Sequence, residues 1–217
     1  MNTIKECFYI ILNGQKEDSR LATKQITKIL YSATAIESRA KQKHKDIDEV
    51  LKNPANKYAE IKEEWRQENF VRGISVIYFL RDEEVEIDYL FPWLFQLLQH
   101  SNGNIRQSAV RIICHELAPL TVYIRIPNYT DTYSHKKIAP EKCDQILFSL
   151  YTNLQKLAEI FYHSRYEKYK YIESLPVGPY KSIELILAEM EDLVGRKYMD
   201  HMRLQHQIIS NKNIGVA

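Results

Sequence analysis

The chain has 217 residues, which is enough to bury a hydrophobic core as one domain or as two small ones. Its 45% hydrophobic and 27% charged residues are typical of a globular protein and argue against wholesale disorder. Thirty Lys and Arg residues oppose 28 Asp and Glu residues, and both signs are mixed along the chain, so bulk charge indicates neither a nucleic-acid-binding nor a membrane-surface domain. Only 6 Gly and 7 Pro residues interrupt the chain, which favours helices over many short strands.

The cysteines and the apolar runs bear on the cellular compartment. Cys7, Cys114 and Cys143 are odd in number and far apart, so we expect reduced thiols rather than a disulfide framework. The apolar run near the N-terminus is only about five residues long, too short for the core of a signal peptide. No apolar stretch approaches the ~20 residues of a membrane helix. These features predict a cytoplasmic protein that does not associate with a membrane.

The first thirty residues predict two helices. A helix over residues 3–12 carries apolar side chains on one side and stops at Asn13-Gly14. Asp18 or Ser19 is expected to cap the next helix, in which apolar residues recur at four-residue steps.

Residues 36–81 carry a weaker pattern. The charged stretch 36–52 has few recurring apolar positions and predicts an exposed helix end or a mobile connection. Pro54 marks a boundary, because the residue before proline disfavours helix and proline suits a first helical turn. Residues 55–81 contain no strong breaker except Gly73.

Residues 90–118 are the most informative stretch. Leucines recur at three- and four-residue steps after Pro92, and the polar turn 101–104 then breaks the helix. Ile105-Arg106 opens a second apolar helix that continues through Ala109. This pattern resembles the HEAT repeat, with its proline in the opening turn, short polar turn and Val/Ile-Arg-x-x-Ala motif. The resemblance implies an α-solenoid, an architecture that presents surfaces to partners.

The same resemblance assigns a structural role to two arginines. In HEAT-like proteins the arginine of the motif supports the turn between the helices, with an acidic partner nearby, so Arg106 is expected to do so here. The turn itself contains no acidic residue, and its partner is expected from a neighbouring repeat. Val71-Arg72 lies about 34 residues before Ile105-Arg106, which suggests a tandem unit in which Arg72 is the equivalent residue.

The C-terminal third predicts a loop and two long helices. Residues 127–140 contain two prolines and many turn formers, and we expect a mobile loop there. Pro140 starts a helix that runs to about Ser174, and a last helix follows the proline-rich turn 176–179, each about thirty residues long. The predicted fold is therefore all-α, with a short HEAT-like α-solenoid over 1–126, the loop, and a long antiparallel helical hairpin over 141–217.

No common catalytic motif occurs in the sequence. There is no glycine-rich phosphate loop, GxSxG, HExxH or CxxC. Cys114 and His115 are adjacent on a helix and therefore point about 100° apart, which disfavours a nucleophile–base pair. His201 and His206 fall on different sides of a helix, and the carboxylates of residues 82–88 lack the pattern of a calcium loop. We expect no catalytic residue, no metal site and no cofactor.

One segment fits nucleic acid. Aromatic rings that alternate with cations can stack on bases and neutralise phosphates, and this pattern occurs at Tyr162, Arg165, Tyr166, Lys168, Tyr169 and Lys170. The same residues also suit the flank of a hairpin, where tyrosine buries its ring and keeps its hydroxyl hydrated. The sequence thus predicts a non-catalytic protein–protein interaction scaffold. A nucleic-acid-binding helical protein, a HEAT-like DNA-repair enzyme and self-association through the hairpin remain as alternatives.

Overall fold

A computed structural model describes residues 3–31, 37–80, 88–126, 138–161 and 178–214. All regular structure in these ranges is helical and none is strand, so the predicted all-α class is confirmed. The chain divides into two compact units, Met1–Ile112 and Ile113–Ala217. This division lies within one helix, whereas the sequence pattern places a loop between its domains at 127–140. Residues 127–137 lie outside the described ranges, and the predicted domain boundaries and the mobility of this loop stay predictions.

The described residues of the first unit form six complete helices, a 3-10 turn and the start of a further helix. In chain order these are α1 (Ile4–Asn13), α2 (Lys16–Tyr31), α3 (Glu37–Leu51), α4 (Pro54–Ala59), α5 (Glu64–Ile77), the 3-10 turn (Tyr78–Leu80), α6 (Phe91–Leu97) and α7 (Gly103–Leu120). Helices α1, α2 and α5 pack against one another, α3 packs on α1 and on the 3-10 turn, and α4 packs on α5. A reciprocal pair of hydrogen bonds between Thr3 and Glu6 starts α1, and the helix stops at Gly14 as predicted.

Helix α5 approaches the first two helices closely at Gly73. A Cβ atom at this position would lie 3.0 Å from Cζ of Phe8, so a larger residue would have to displace that ring. A buried polar network joins the same three helices. Asn69 Nδ2 donates to Ser19 Oγ at 3.1 Å, and Ser19 Oγ donates to the carbonyl of Ile11 at 3.2 Å. Ser19 is therefore a core residue and not the predicted cap, because α2 starts three residues earlier.

The expectation for residues 36–52 is wrong for most of this stretch. The chain forms a helix over Glu37–Leu51, and its last turns bury three aliphatic side chains. These side chains lie three and four residues apart, which is enough to give a charged helix one apolar side: Ile47, Val50 and Leu51. The carboxylate of Asp46 is also buried and accepts a hydrogen bond from the backbone N–H of Lys5 at 3.2 Å, at the positive end of α1.

The chain is not continuously helical between Pro54 and Ile77, although no glycine or proline lies between Pro54 and Gly73. The chain leaves the helical conformation at residues 60–63, between α4 and α5. Ile61 turns into the core there, and its carbonyl accepts a hydrogen bond from Gln67 Nε2 at 2.8 Å. No glycine or proline occurs at the break, so the sequence pattern contains no signal for it.

In the second unit, the residues that the structure describes form the rest of α7 and four more helices. These are α8 (Val122–Arg125), α9 (Pro140–Phe161), α10 (Pro179–Val194) and α11 (Arg196–Ile214). Helix α10 packs on α8, α9 and α11, and α9 also packs on α11. The predicted start of α9 at Pro140 and its predicted apolar stripe are confirmed, since the side chains of the stripe are buried. The hydroxyls of Tyr123 and Tyr198 both donate to the carboxylate of Asp144, which links α8 and α11 to α9.

The prediction of a single final helix is wrong, because Gly195 divides it. Gly195 has φ +80° and ψ 158°, a conformation that costs other residues strain. Its N–H donates to the carbonyl of Glu191 at 2.8 Å and so ends α10. Helices α10 and α11 are therefore separate elements, each much shorter than the predicted thirty residues.

Candidate functional site

The six residues predicted to contact nucleic acid lie outside the described part of the chain. All of them fall within residues 162–177: Tyr162, Arg165, Tyr166, Lys168, Tyr169 and Lys170. Their role stays a prediction. The described residues offer three other features with a bearing on function, namely the turn between α6 and α7, the outer face of α2 and the outer face of α11.

Arg106 is completely buried and binds the turn between α6 and α7. Its Nη1 donates to the carbonyl of His100 at 2.6 Å and to the carbonyl of Ser101 at 2.7 Å. Asn102 orders the other side of the turn, because its Oδ1 accepts hydrogen bonds from the first backbone N–H groups of α7. One buried cation thus binds carbonyls of the turn, and one amide side chain satisfies N–H groups that the start of α7 leaves open.

Arg72 has a different environment from Arg106. Its side chain is 50% exposed, and its Nη1 lies 3.5 Å from Oε1 of Glu68 on the same helix. The arginine of α5 that binds carbonyl groups is instead Arg66, whose side chain is only 13% exposed. Its Nη1 donates at 3.1, 2.6 and 3.1 Å to three carbonyls at the end of α1, those of Ile11, Leu12 and Gly14. The repeat pattern did not indicate Arg66, which lies outside the motif.

Two asparagines fasten the α6–α7 turn to α5. Asn102 Nδ2 donates to Glu64 Oε1 and to Glu68 Oε2, at 3.0 Å in both cases. Asn104 Nδ2 donates to Glu68 Oε1 at 2.9 Å. Acidic side chains of α5 therefore reach the turn, but they accept hydrogen bonds from the asparagines, so the acidic partner expected for Arg106 stays a prediction.

His100 is neutral at physiological pH. Its Nδ1 accepts a hydrogen bond from the backbone N–H of Asn102 at 2.9 Å, which assigns the ring proton to Nε2. Burial lowers the pKa of His100, and the Arg106 cation lowers it further, while Glu64 acts in the opposite direction. The imidazole is thus an acceptor built into the turn.

An aromatic pair lies in the same unit. The rings of Tyr58 and Trp93 meet edge to face with their centroids 5.6 Å apart. The Tyr58 hydroxyl and the Trp93 Nε1 are buried and have no hydrogen-bond partner among the described residues. Burial, together with the nearby Glu64 carboxylate, raises the pKa of Tyr58 to about 12. The Tyr58 hydroxyl and the Trp93 Nε1–H are therefore both available as hydrogen-bond donors at neutral pH. The alternative function as a HEAT-like DNA-repair enzyme stays a prediction.

Cations at four-residue steps line the outer face of α2. All four are exposed: Lys16, Arg20, Lys24 and Lys28. Glu17 pairs with one of them, Arg20, with 2.9 Å between Nε and Oε2, and this hydrogen bond holds the pKa of Glu17 below its usual value. The three lysines form no ion pair with any described residue. Leu21 is 51% exposed beside the row.

The outer face of α11 exposes three aliphatic side chains among polar ones. Leu204 is 59% exposed, Ile208 is 56% exposed and Ile209 is 48% exposed, and no other helix in the described ranges leaves three large aliphatic side chains so open. The opposite face is packed, with Met199 and Met202 buried. Helix α11 therefore buries two methionines on one side and exposes three aliphatic side chains elsewhere on its surface.

Cys114, His201 and His206 each have a defined environment in the described residues. Burial raises the pKa of the Cys114 thiol to about 12, so the thiol stays protonated at neutral pH. His206 packs edge to face on Tyr151, while His201 hydrogen-bonds the side chain of Gln205 at 2.9 Å. Across the described ranges, no group of three or more His, Cys, Asp and Glu side chains is placed to hold a metal ion.

Comparisons with protein-family models, with curated proteins and with solved structures give no match to this chain. Within the described residues, no helix combines the length and the hydrophobicity needed to cross a membrane.

Proposed function

We propose that this protein is a non-catalytic module that binds another protein chain through an exposed helical face, and that α11 provides this face. The carrying observation is that Leu204 and Ile208 lie one helical turn apart and are each more than half exposed. Burying such side chains against a partner is favourable, at about 25 cal/mol per Å² of apolar surface removed from water. Aliphatic residues four apart are also the anchors with which one helix docks into a groove of another protein.

The architecture we propose for this module is HEAT-like. In this proposal α6 and α7 form one helix pair of a solenoid over residues 1–126, and α9, α10 and α11 follow it in place of the predicted two-helix hairpin. Five apolar side chains that this arrangement places inside the pair are buried, which supports the proposal: Leu94, Leu98, Ile105, Ala109 and Ile113. Proline in the first turn of α6 and the carbonyl-binding Arg106 support the same proposal. The three free cysteines support a location in the reducing cytoplasm.

Site-specific photo-cross-linking tests the α11 face. A photoreactive amino acid at position 204 should give cross-linked adducts in cells that express the protein, and the additional substitution Ile208→Ser should abolish them. The control places the photoreactive group at Lys156, an exposed position on α9. Equal labelling from positions 204 and 156 would contradict the proposal.

The identity of the captured chain follows from two further measurements. Mass spectrometry of the adduct distinguishes a second copy of this chain from a different protein. Sedimentation velocity over a range of concentrations then tests self-association, with Leu204→Ser/Ile208→Ser compared with Gln205→Ser/Gln207→Ser on the same helix. If the protein associates with itself through α11, only the first double variant should remain monomeric.

A further inference from the structure

The four cations on α2 form one row on its surface. Residues four apart lie on the same side of a helix, with about 5–6 Å between their Cβ atoms. From Lys16 to Lys28 the row spans about 18 Å along the helix axis, at ~1.5 Å per residue. From Ser19 to Leu30 every charged side chain of α2 is basic. Beyond its first turn, the outer face of α2 therefore carries one sign of charge.

The row is open to a partner. Lys16, Lys24 and Lys28 are exposed and form no ion pair with described residues, so a partner does not have to displace a contact to reach them. Leu21 precedes Lys24 by three residues and hence lies on the same side of the helix. An exposed apolar side chain is thus flanked by cations.

We propose that this face of α2 docks an acidic amphipathic helix of a partner protein. The inference goes beyond the proposed function, since it assigns a second binding face and states the chemistry of its partner. Carboxylates at four-residue steps on a second helix repeat the 5–6 Å spacing of the lysines, at about one carboxylate per cation. An aliphatic residue of the same helix buries Leu21, which combines charge steering with an apolar anchor.

Nucleic acid matches this face less well. Proteins that bind single strands combine cations with aromatic side chains on which bases stack. None of the described side chains on the outer face of α2 is aromatic, and a phosphate backbone leaves Leu21 exposed. The combination of lysines with leucine therefore favours an acidic protein helix over a nucleic acid.

Fluorescence anisotropy with a designed peptide tests the proposal on the full-length protein. The probe is a labelled helical peptide of about 20 residues, or roughly 30 Å, with Glu at every fourth position and Leu one turn from each Glu. The test variant is Lys24→Glu/Lys28→Glu. The matched control is Lys45→Glu/Lys52→Glu, which changes the net charge equally at two exposed lysines that form no ion pair with described residues. Leu21→Ser separates the apolar contribution from the charge.

The expected results differ among the variants. The Lys24→Glu/Lys28→Glu protein should bind the peptide about tenfold or more weakly, and its salt dependence between about 50 and 200 mM should be smaller. Leu21→Ser should weaken binding about threefold with unchanged salt dependence. The control should stay within about twofold of the wild type. Far-UV circular dichroism and urea midpoints verify that each variant is folded. If Lys24→Glu/Lys28→Glu unfolds the protein, Lys24→Ser/Lys28→Ser is used as the test variant instead.

Several outcomes would overturn the inference. One is a wild-type Kd weaker than about 1 mM at low salt, and another is equal weakening by the test and control pairs. Tighter binding of an oligothymidine or of phosphatidylserine vesicles, lost in Lys24→Glu/Lys28→Glu, would assign the face to nucleic acid or to lipid instead. Leu204→Ser/Ile208→Ser should bind the peptide like the wild type. If the wild-type protein does not bind the peptide but still gives cross-links from position 204, only the α2 inference is refuted. If it binds the peptide but gives no specific cross-links from position 204, only the α11 proposal is refuted.

Discussion

The buried guanidinium of Arg106 gives the sharpest test of the first unit. In Arg106→Met the side chain keeps a similar length and loses its charge and its donors, so the carbonyls of His100 and Ser101 lose hydrogen bonds of 2.6 and 2.7 Å. Arg72→Met is the matched control, because the sequence pattern treats the two arginines as equivalent whereas the structure leaves Arg72 half exposed.

The magnitude follows from these two contacts. A hydrogen bond with a charged donor contributes about 1.5–3 kcal/mol, so the pair contributes about 3–6 kcal/mol. Part of this is offset, because methionine does not bury a charge and because Ser101 is exposed enough for its carbonyl to bind water. We therefore expect Arg106→Met to lower the free energy of unfolding by about 2–4 kcal/mol. An exposed ion pair contributes at most about 0.5 kcal/mol, which sets the effect of Arg72→Met.

Urea denaturation followed by tryptophan fluorescence is the suitable assay. Both tryptophans, Trp65 and Trp93, belong to the first unit, so their fluorescence reports on the part of the chain that contains the turn. Arg106→Lys, which keeps the charge and one donor group, should fall between Arg106→Met and the wild type. The reasoning is refuted if Arg106→Met and Arg72→Met differ by less than about 0.5 kcal/mol.

Four further outcomes are expected. Gly73→Ala should destabilise the first unit by about 0–2 kcal/mol in the same assay, because crowding of the Phe8 ring, 3.0 Å from the new methyl group, costs about 1–3 kcal/mol and the higher helix propensity of alanine offsets about 1 kcal/mol; a raised midpoint would show that the ring moves freely. Gly195→Ala should lower the melting temperature by circular dichroism, since φ +80° with ψ 158° costs other residues about 1–3 kcal/mol. The unfolded chain binds a proton at position 100 more tightly than the folded chain, because burial lowers the pKa of His100. Stability should hence fall as pH drops below about 6.5, and His100→Asn should reduce this fall in urea midpoints at pH ~7.5 and ~5.5. If the Tyr-rich segment binds nucleic acid, a plot of the logarithm of the binding constant against the logarithm of the salt concentration should become less steep, by about two to three units of slope, when three cations are replaced by Ser: Arg165, Lys168 and Lys170.

Hydrophobic periodicity predicted most of the helices, because a long run of apolar residues at three- and four-residue steps can be buried on one side only when the segment is helical. The stripe that begins near Leu147 and the capped first helix both formed as expected. Helix α3 was missed because its charges outnumber its apolar residues, although three aliphatic side chains at helical spacing suffice to dock it. The break at residues 60–63 was missed because the burial of Ile61, rather than a glycine or proline, interrupts the helix there.

The roles of the arginines depended on information that a local pattern does not contain. Motif position made Arg72 the counterpart of Arg106, yet burial depends on which side of α5 faces the end of α1. That side carries Arg66, six residues earlier, and its partners are more than fifty positions away in sequence. The exposed lysines of α2 and the exposed aliphatic residues of α11 could be identified only once the buried face of each helix was known. The sequence alone does not say which side of a helix faces the core and which faces solvent.

The contact between Arg66 and the end of α1 also has a consequence for synthesis. The carbonyls of Ile11, Leu12 and Gly14 receive their donor from a side chain that is 52 to 55 residues further along the chain. At about 5–20 residues per second, a ribosome takes roughly 3–11 s to add that length. During this interval the emerging α1 presents the apolar side that carries Phe8 without its partner helix α5. A nascent chain stalled before residue 66 should therefore be a substrate for ribosome-associated chaperones, and one stalled well beyond α5 should not.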